Sequence, residues 1–210
     1  MSKIYQYQPR IEFKPKGLSD ISDLQIDDHW KLYEGYVKQV NALNAELAFL
    51  RSEKKTNSLA YADRRRRYGF EYNGMVLHEF YFGNLTADST TLRQSALRTN
   101  IEATWGSVEA WREDFALCGL TRGVGWAILY LDPVTKDLTN HFIREHHEGH
   151  ISTFVPILAM DVWEHAYMVD HHADGRATYI EAFLKNINWE INEKRYDDAC
   201  AGKQIFRFEV

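Results

Sequence analysis

The sequence predicts an α+β fold, with an all-helical first half and a second half that adds a small antiparallel sheet. Three observations carry this. Apolar residues recur at helical spacing from Ser19 to about Leu59. A small, polar stretch, Thr86 to Thr91, separates the two halves. Two strand-like runs then flank a turn at Asp132-Pro133 and Lys136-Asp137. Runs of helices followed by strands are the pattern of an α+β chain.

In the first helical region Ile21, Leu24, Tyr33, Tyr36, Val37, Val40, Leu43, Leu47 and Leu50 are interleaved with charges. That is one apolar stripe on a helix. Ser19 and Ser22 offer caps, and no proline interrupts the run, so it reads as two helices meeting at a bend or one long curved helix. A second helix is expected from about Asn73 to Leu85. Leu92 to Cys118 is helical again, broken near Gly106. Gly125 to Leu131 reads as a strand, Leu138 to Arg144 as its hairpin partner, and Val155 to Met160 as a third apolar run leading into Asp161. Tyr179 to Lys194 reads as one amphipathic helix.

At 210 residues the chain makes one large domain or two modest ones, and its 45% hydrophobic content supports a sizeable core. A net charge of −5 gives no global basic field, which argues against a nucleic-acid partner. No stretch is apolar and long enough to span a bilayer, so no membrane partner is expected. Two cysteines, Cys118 and Cys200, exclude a disulfide scaffold or a thiolate metal site. The polar start is unlike a secretory signal, and a cytoplasmic location is expected.

Chemistry concentrates in Asp161-Val-Trp-Glu-His-Ala-Tyr167, where a carboxylate ends an apolar strand and a histidine follows four residues later. Carboxylate oxygen with imidazole nitrogen suits Fe, Mn or Zn and argues against Ca or Mg. Taken alone, an Asp-x3-His pair reads more readily as a buried hydrogen-bonded pair. The wider context decides. The segment 161–167 resembles, residue for residue, the signature of the iron/manganese superoxide dismutase family. Gly123-Val-Gly-Trp126, Asn186-Ile-Asn-Trp189 and Tyr33-Glu-Gly-Tyr36-Val37 resemble further family segments in the right order.

The resemblance implies an N-terminal helical hairpin domain, residues 1–90, packed on a C-terminal α/β domain, residues 91–210. It implies one Fe or Mn ion per chain, between the two, held by three histidines, one aspartate and a solvent molecule. Asp161 and His165 match the C-terminal ligands, and His78 matches the ligand on the second helix. At the first ligand the sequence departs from the pattern. Family members place a histidine eight residues before the tyrosine matching Tyr36, but here that position is Asp28, and His29 lies at seven. On a helix His29, Tyr33 and Tyr36 share a face, whereas Asp28 is rotated off it. His29 is therefore the expected ligand, with Asp28 the alternative.

The same resemblance assigns Tyr36 and His146 to proton transfer, with His146 hydrogen-bonded to the bound solvent in place of the usual glutamine. The second-helix position for that glutamine is occupied by Gly74, which cannot reach. Trp126, Trp163 and Tyr81 are expected to wall the cavity and Arg176 to stand at its mouth. Glu164 and Tyr167 are expected at the interface of a homodimer or homotetramer, where Tyr33 replaces the usual histidine partner of the tyrosine. His147, His150, His171 and His172 are read as surface or packing residues, and Arg64 to Arg67, ahead of the second helix, as a solvated face. The implied reaction is dismutation of superoxide, a small anion, to oxygen and hydrogen peroxide. Two other readings remain at this point: a zinc metallohydrolase using the same ligands, and a non-catalytic relative with a structural role that has lost its first-helix ligand.

Overall fold

The structure, a computed structural model, describes residues 4–203. Ser22 caps helix α1 (Asp23–Ser52), its side chain accepting from the Gln25 N–H. Such a cap satisfies one of the free amides at a helix start. The carboxylate of Asp170, far along the chain, accepts from the Ser22 backbone amide (2.7 Å) and hydroxyl (2.6 Å) and so places an anion at the same helix end. The helix is one uninterrupted element. Its buried stripe runs through Ile26, His29, Trp30, Tyr33, Val37, Val40, Leu43, Leu47 and Leu50, whereas Leu24 points to solvent at 61% exposure.

Helix α2 (Leu59–Gly83) starts fourteen residues before the expected Asn73. Ser58 caps it, and Tyr61 anchors its first turns against Leu47 and Leu50 of α1. The four arginines therefore lie inside the helix and not ahead of it. Arg64 pairs with Glu46 (2.7 Å) and Arg66 with Asp63 (3.0 Å), and Arg67 pairs with Glu71 (2.7 Å) while lying over the Phe70 ring. The α1/α2 hairpin leads through a non-helical stretch to α3 (Ala96–Trp105) and α4 (Val108–Gly119), separated at Gly106 as expected.

The sheet is three-stranded and antiparallel, in the order β2-β1-β3, with β1 (Gly125–Leu131) between β2 (Leu138–Arg144) and β3 (Val155–Asp161). All seven residues of β1 are buried, which accounts for a continuous apolar run where a half-exposed strand would alternate. Register puts Trp126 directly opposite Asp161, so both side chains leave the same face of the sheet. Gly125, with φ at +155°, fits because a Cβ there would stand 1.9 Å from the Ile143 carbonyl oxygen. After β3 come a 3-10 turn (Glu164–Ala166), a short helix α5 (Met168–His171), α6 (Arg176–Lys185) and α7 (Trp189–Cys200). The single helix expected over 179–194 is thus two. Asn188 interrupts it, its side chain accepting from the Ile191 N–H to cap α7. No helix among the described residues is long and apolar enough to cross a membrane.

Candidate metal centre

Four side chains from four elements meet where the helical hairpin packs on the sheet: His29 from α1, His78 from α2, Asp161 from the end of β3 and His165 from the 3-10 turn. One donor atom of each lies within 4.8 Å of all the others. Asp161 Oδ2 is the hub, 3.1 Å from His29 Nε2, 3.2 Å from His165 Nε2 and 3.7 Å from His78 Nε2. Donors held roughly 2.1 Å from one ion at angles of about 90 to 120° stand about 3.0 to 3.6 Å apart. The separations to His29 and His165 fall in that range, and the one to His78 lies just beyond it.

His78 tests that reading. Its Nδ1–H donates to the Gly74 carbonyl at 2.6 Å, which fixes the tautomer and leaves Nε2 as a lone pair. That Nε2 is buried and has no hydrogen-bond partner. It faces an aspartate oxygen, so two acceptors confront each other in a dry interior. A cation between them removes that conflict, and among the described residues no donor reaches His78 Nε2.

Protonation states match. Burial pushes the pKa of His29 down and that of His78 well down, keeping both imidazoles neutral. Burial alone would raise Asp161, but His165 and His29 at its oxygen overcome this and hold the carboxyl well below the usual range. Metal ligands must be deprotonated to bind, and burial favours that form in His29 and His78. Asp28 is exposed and pairs with Lys31 at 2.7 Å, away from the cluster.

The clustered side chains are held from behind. The Trp163 N–H donates to Asp161 Oδ1 (2.9 Å), and the Tyr179 O–H donates to the Asp161 carbonyl (2.7 Å). Buried Gln25 of α1 donates to the His165 carbonyl (2.7 Å) and accepts from the Val169 N–H (2.9 Å), tying the second-half ligand to the first half. Trp126 lies edge-on to His78 at 5.2 Å, Trp163 stacks on His165 at 5.7 Å, and Tyr81 lies 4.7 Å from His29, so all three wall the cluster.

His146 is fully buried, which excludes a place on a loop surface. Trp126 Nε1–H donates to its Nδ1 (3.0 Å), so the neutral ring carries its proton on Nε2, which donates to the Tyr36 oxygen (2.7 Å). Burial lowers its pKa to about 4. Both ring nitrogens thus have protein partners. His146 reaches toward the cluster through Tyr36, whose own O–H is left to point elsewhere. The Tyr36 ring lies 5.1 Å from His78. It also explains Gly74, where an added Cβ would stand 2.8 Å from the Tyr36 ring.

Comparison with known proteins gives this arrangement a family. A profile described as "Iron/manganese superoxide dismutases, C-terminal domain" matches residues 93–195. A superoxide dismutase [Fe] of Aquifex pyrophilus is 33% identical over 209 residues, 97% of each chain. One from Cupriavidus metallidurans, also named for Fe, is 34% identical over 92% of this chain and 96% of its own. Superoxide dismutase [Mn] 2 of Halobacterium salinarum is 38% identical over 61% of this chain and 63% of its own.

The chain belongs to the iron/manganese superoxide dismutase family.

Within that family frame, the peripheral residues take these places. Arg176 is half-buried and donates to the carbonyls of Gly119, Thr121 and Gly123 at 2.8 to 3.0 Å, so its guanidinium closes the end of α4. Glu164 is exposed, and Tyr167 is buried against Tyr179. The Tyr33 hydroxyl donates to Glu79 (3.0 Å) and accepts from the Arg10 N–H (2.9 Å). Sequence reasoning did not single out Gln25, Tyr179 or Phe70, which lies 4.6 Å from His146. Buried glutamine in the first turn of α1 carried the one available signal, a polar residue on an apolar stripe.

Proposed function

We propose that the protein dismutates superoxide at one iron or manganese ion per chain, held by His29, His78, Asp161 and His165. The observation that carries this is the buried, unpartnered His78 Nε2 facing the Asp161 carboxylate. The relatives, some named for Fe and some for Mn, support the same reaction. When bound, either ion supplies one-electron chemistry between two adjacent oxidation states. Across a full cycle one superoxide loses an electron to become oxygen, and a second gains one, with two protons, to become hydrogen peroxide.

The chain's own residues do three things. Three neutral imidazoles and one carboxylate give the pocket a single negative charge, which a divalent and a trivalent ion both tolerate. Trp126, Trp163 and Tyr81 keep bulk water out and leave room only for small ligands. Tyr36 delivers a proton. Burial, then the Asp161 charge, push its pKa upward, so it remains a phenol near neutral pH. Because His146 Nε2–H occupies its oxygen, the Tyr36 proton is turned toward the pocket, and the same N–H stabilises the phenolate that forms when the proton leaves. The half-exposed phenol is then reprotonated from solvent.

The placement of His29 in the cluster speaks against a relative that has lost its first ligand. Metal analysis with absorption spectra of the oxidised and reduced protein separates a redox centre from a zinc site. Reversible bleaching of a visible band with iron or manganese is expected. A protein that takes up only zinc when all three metals are offered would contradict the proposal.

A further inference from the structure

The segment His146-His-Glu-Gly-His150 contains a second, half-buried network around His150, which the proposed chemistry does not use. His150 Nε2–H donates to the His146 carbonyl at 2.9 Å, and its Nδ1 accepts from the Tyr130 O–H at 2.8 Å. The two bonds agree on one tautomer. A hydroxyl that donates to Nδ1 holds the ring proton on Nε2, where the carbonyl needs it. Tyr130 is almost wholly buried and lies on β1 four residues after Trp126, so both leave the same face of the strand. That face therefore grips the 145–150 turn at two points: Trp126 on the His146 ring, and Tyr130, through His150, on the His146 backbone.

The turn needs holding. Glu145 adopts φ of +53°, a left-handed conformation disfavoured for a side chain of that kind, and Gly149 adopts +96°. Its ends are closed by paired backbone bonds between Arg144 and Glu148 at 3.0 and 3.2 Å, and by Glu145 N–H to the Val124 carbonyl at 3.1 Å. None of these fixes His146 itself. The 2.7 Å bond from His146 to Tyr36 depends on where the backbone sets that ring.

We infer that His150, oriented by Tyr130, is a positioning residue that holds His146 in register with Tyr36. The inference rests on the proposed role of Tyr36 and His146 in superoxide dismutation, and it concerns a residue that touches neither metal nor substrate.

The test is a mutant cycle on the iron- or manganese-loaded protein, with metal content measured alongside rate. His150→Ala should keep its metal and lower kcat about 3- to 10-fold, with a shifted alkaline limb in the pH profile. His150→Gln, whose amide reaches the same carbonyl, should recover most of the rate. In a His146→Ala background, adding His150→Ala should cost nothing further. Multiplying losses in that double variant, or wild-type kcat in His150→Ala, would overturn the inference. Should His150→Ala fail to fold, Tyr130→Phe removes a single oxygen, and an unchanged rate and pH profile there would count equally against it. A second readout does not need turnover. The Tyr36 phenol, followed by ultraviolet titration against Tyr36→Phe, should shift alike in His150→Ala and His146→Ala. A wild-type protein that carries metal yet does not dismutate would sink the functional reading and leave this titration to decide the positioning role, where an unshifted Tyr36 in His150→Ala defeats it.

Discussion

Asp28 and His29 are neighbours in sequence but about 100° apart around α1. The rotation sends one to Lys31 at the surface and the other into a cluster of buried donors. Replacing His29 with Ala should lower metal retention at least about 100-fold, because it removes one of four ligands, whereas Asp28→Ala should leave it nearly intact. Metal content after dialysis against a chelator measures both, and the reverse pattern would assign the site to Asp28. His146→Ala should retain metal and lower kcat about ten-fold or more, each decade corresponding to about 1.4 kcal/mol. His146→Gln should restore much of this, since an amide also donates to Tyr36. Equal rates for His146→Ala and wild type would remove His146 from the mechanism. Asp161 and His165 were legible in the sequence as a spaced pair, whereas His78 and His29 were reached through the family resemblance. The partners of His146 were not legible, because Trp126 and Tyr36 reach it from 20 and 110 residues away.

At the scale of elements, legibility follows the strength of periodic signal. The strands were readable to the residue for β1 and β2, since a buried central strand writes an unbroken apolar run and the hairpin is marked by Asp132-Pro133. The start of α2 was hidden because Arg64 to Arg67 mask the helical stripe. That turn is held by Tyr61 packing on α1, a contact with no local signature. The break between α6 and α7 rests on one asparagine cap, which the amphipathic alternation conceals. Gly125 shows how an element sets the site: its missing Cβ lets β1 and β2 close at the point where Trp126 must face Asp161. Gly125→Ala should destabilise the fold by about 3 kcal/mol or more, as backbone must move to admit a methyl 1.9 Å from a carbonyl oxygen. Urea midpoints of the metal-free proteins would measure it, and an unchanged midpoint would refute this account of the strand pair.

For the whole molecule, the proposed metal would tie the two halves together, and the metal-free protein should show their pH sensitivity. His146 has a folded pKa near 4 against an ordinary 6.5, lowered by burial, and His29 and His78 are lowered by the same cause. Between those values the unfolded chain binds more protons than the folded one, so stability is full above pH 6.5 and falls as pH drops. His146 alone accounts for roughly 3 kcal/mol across that window, at about 1.4 kcal/mol per pH unit. Asp161, held low, adds a loss of the same sign as pH falls below its ordinary 3.8. Denaturation of metal-free protein at pH 7 and pH 5 tests this, and equal stability would contradict it. In the homodimer that the family resemblance implies, exposed Glu164, next in sequence to His165, is expected at the interface, and Glu164→Ala should weaken both dimer and metal retention. Sedimentation at micromolar concentration reads the first, and a fully active monomer would refute the assembly.

Superoxide decay, followed after a radiolytic pulse, tests the central claim most directly when it is measured per bound ion in protein loaded separately with iron, manganese and zinc. The account predicts catalytic decay proportional to bound iron or manganese, none in the metal-free or zinc-loaded protein, and its loss in His78→Ala. Protein fully loaded with either redox metal that leaves superoxide decaying at its rate in buffer would contradict it.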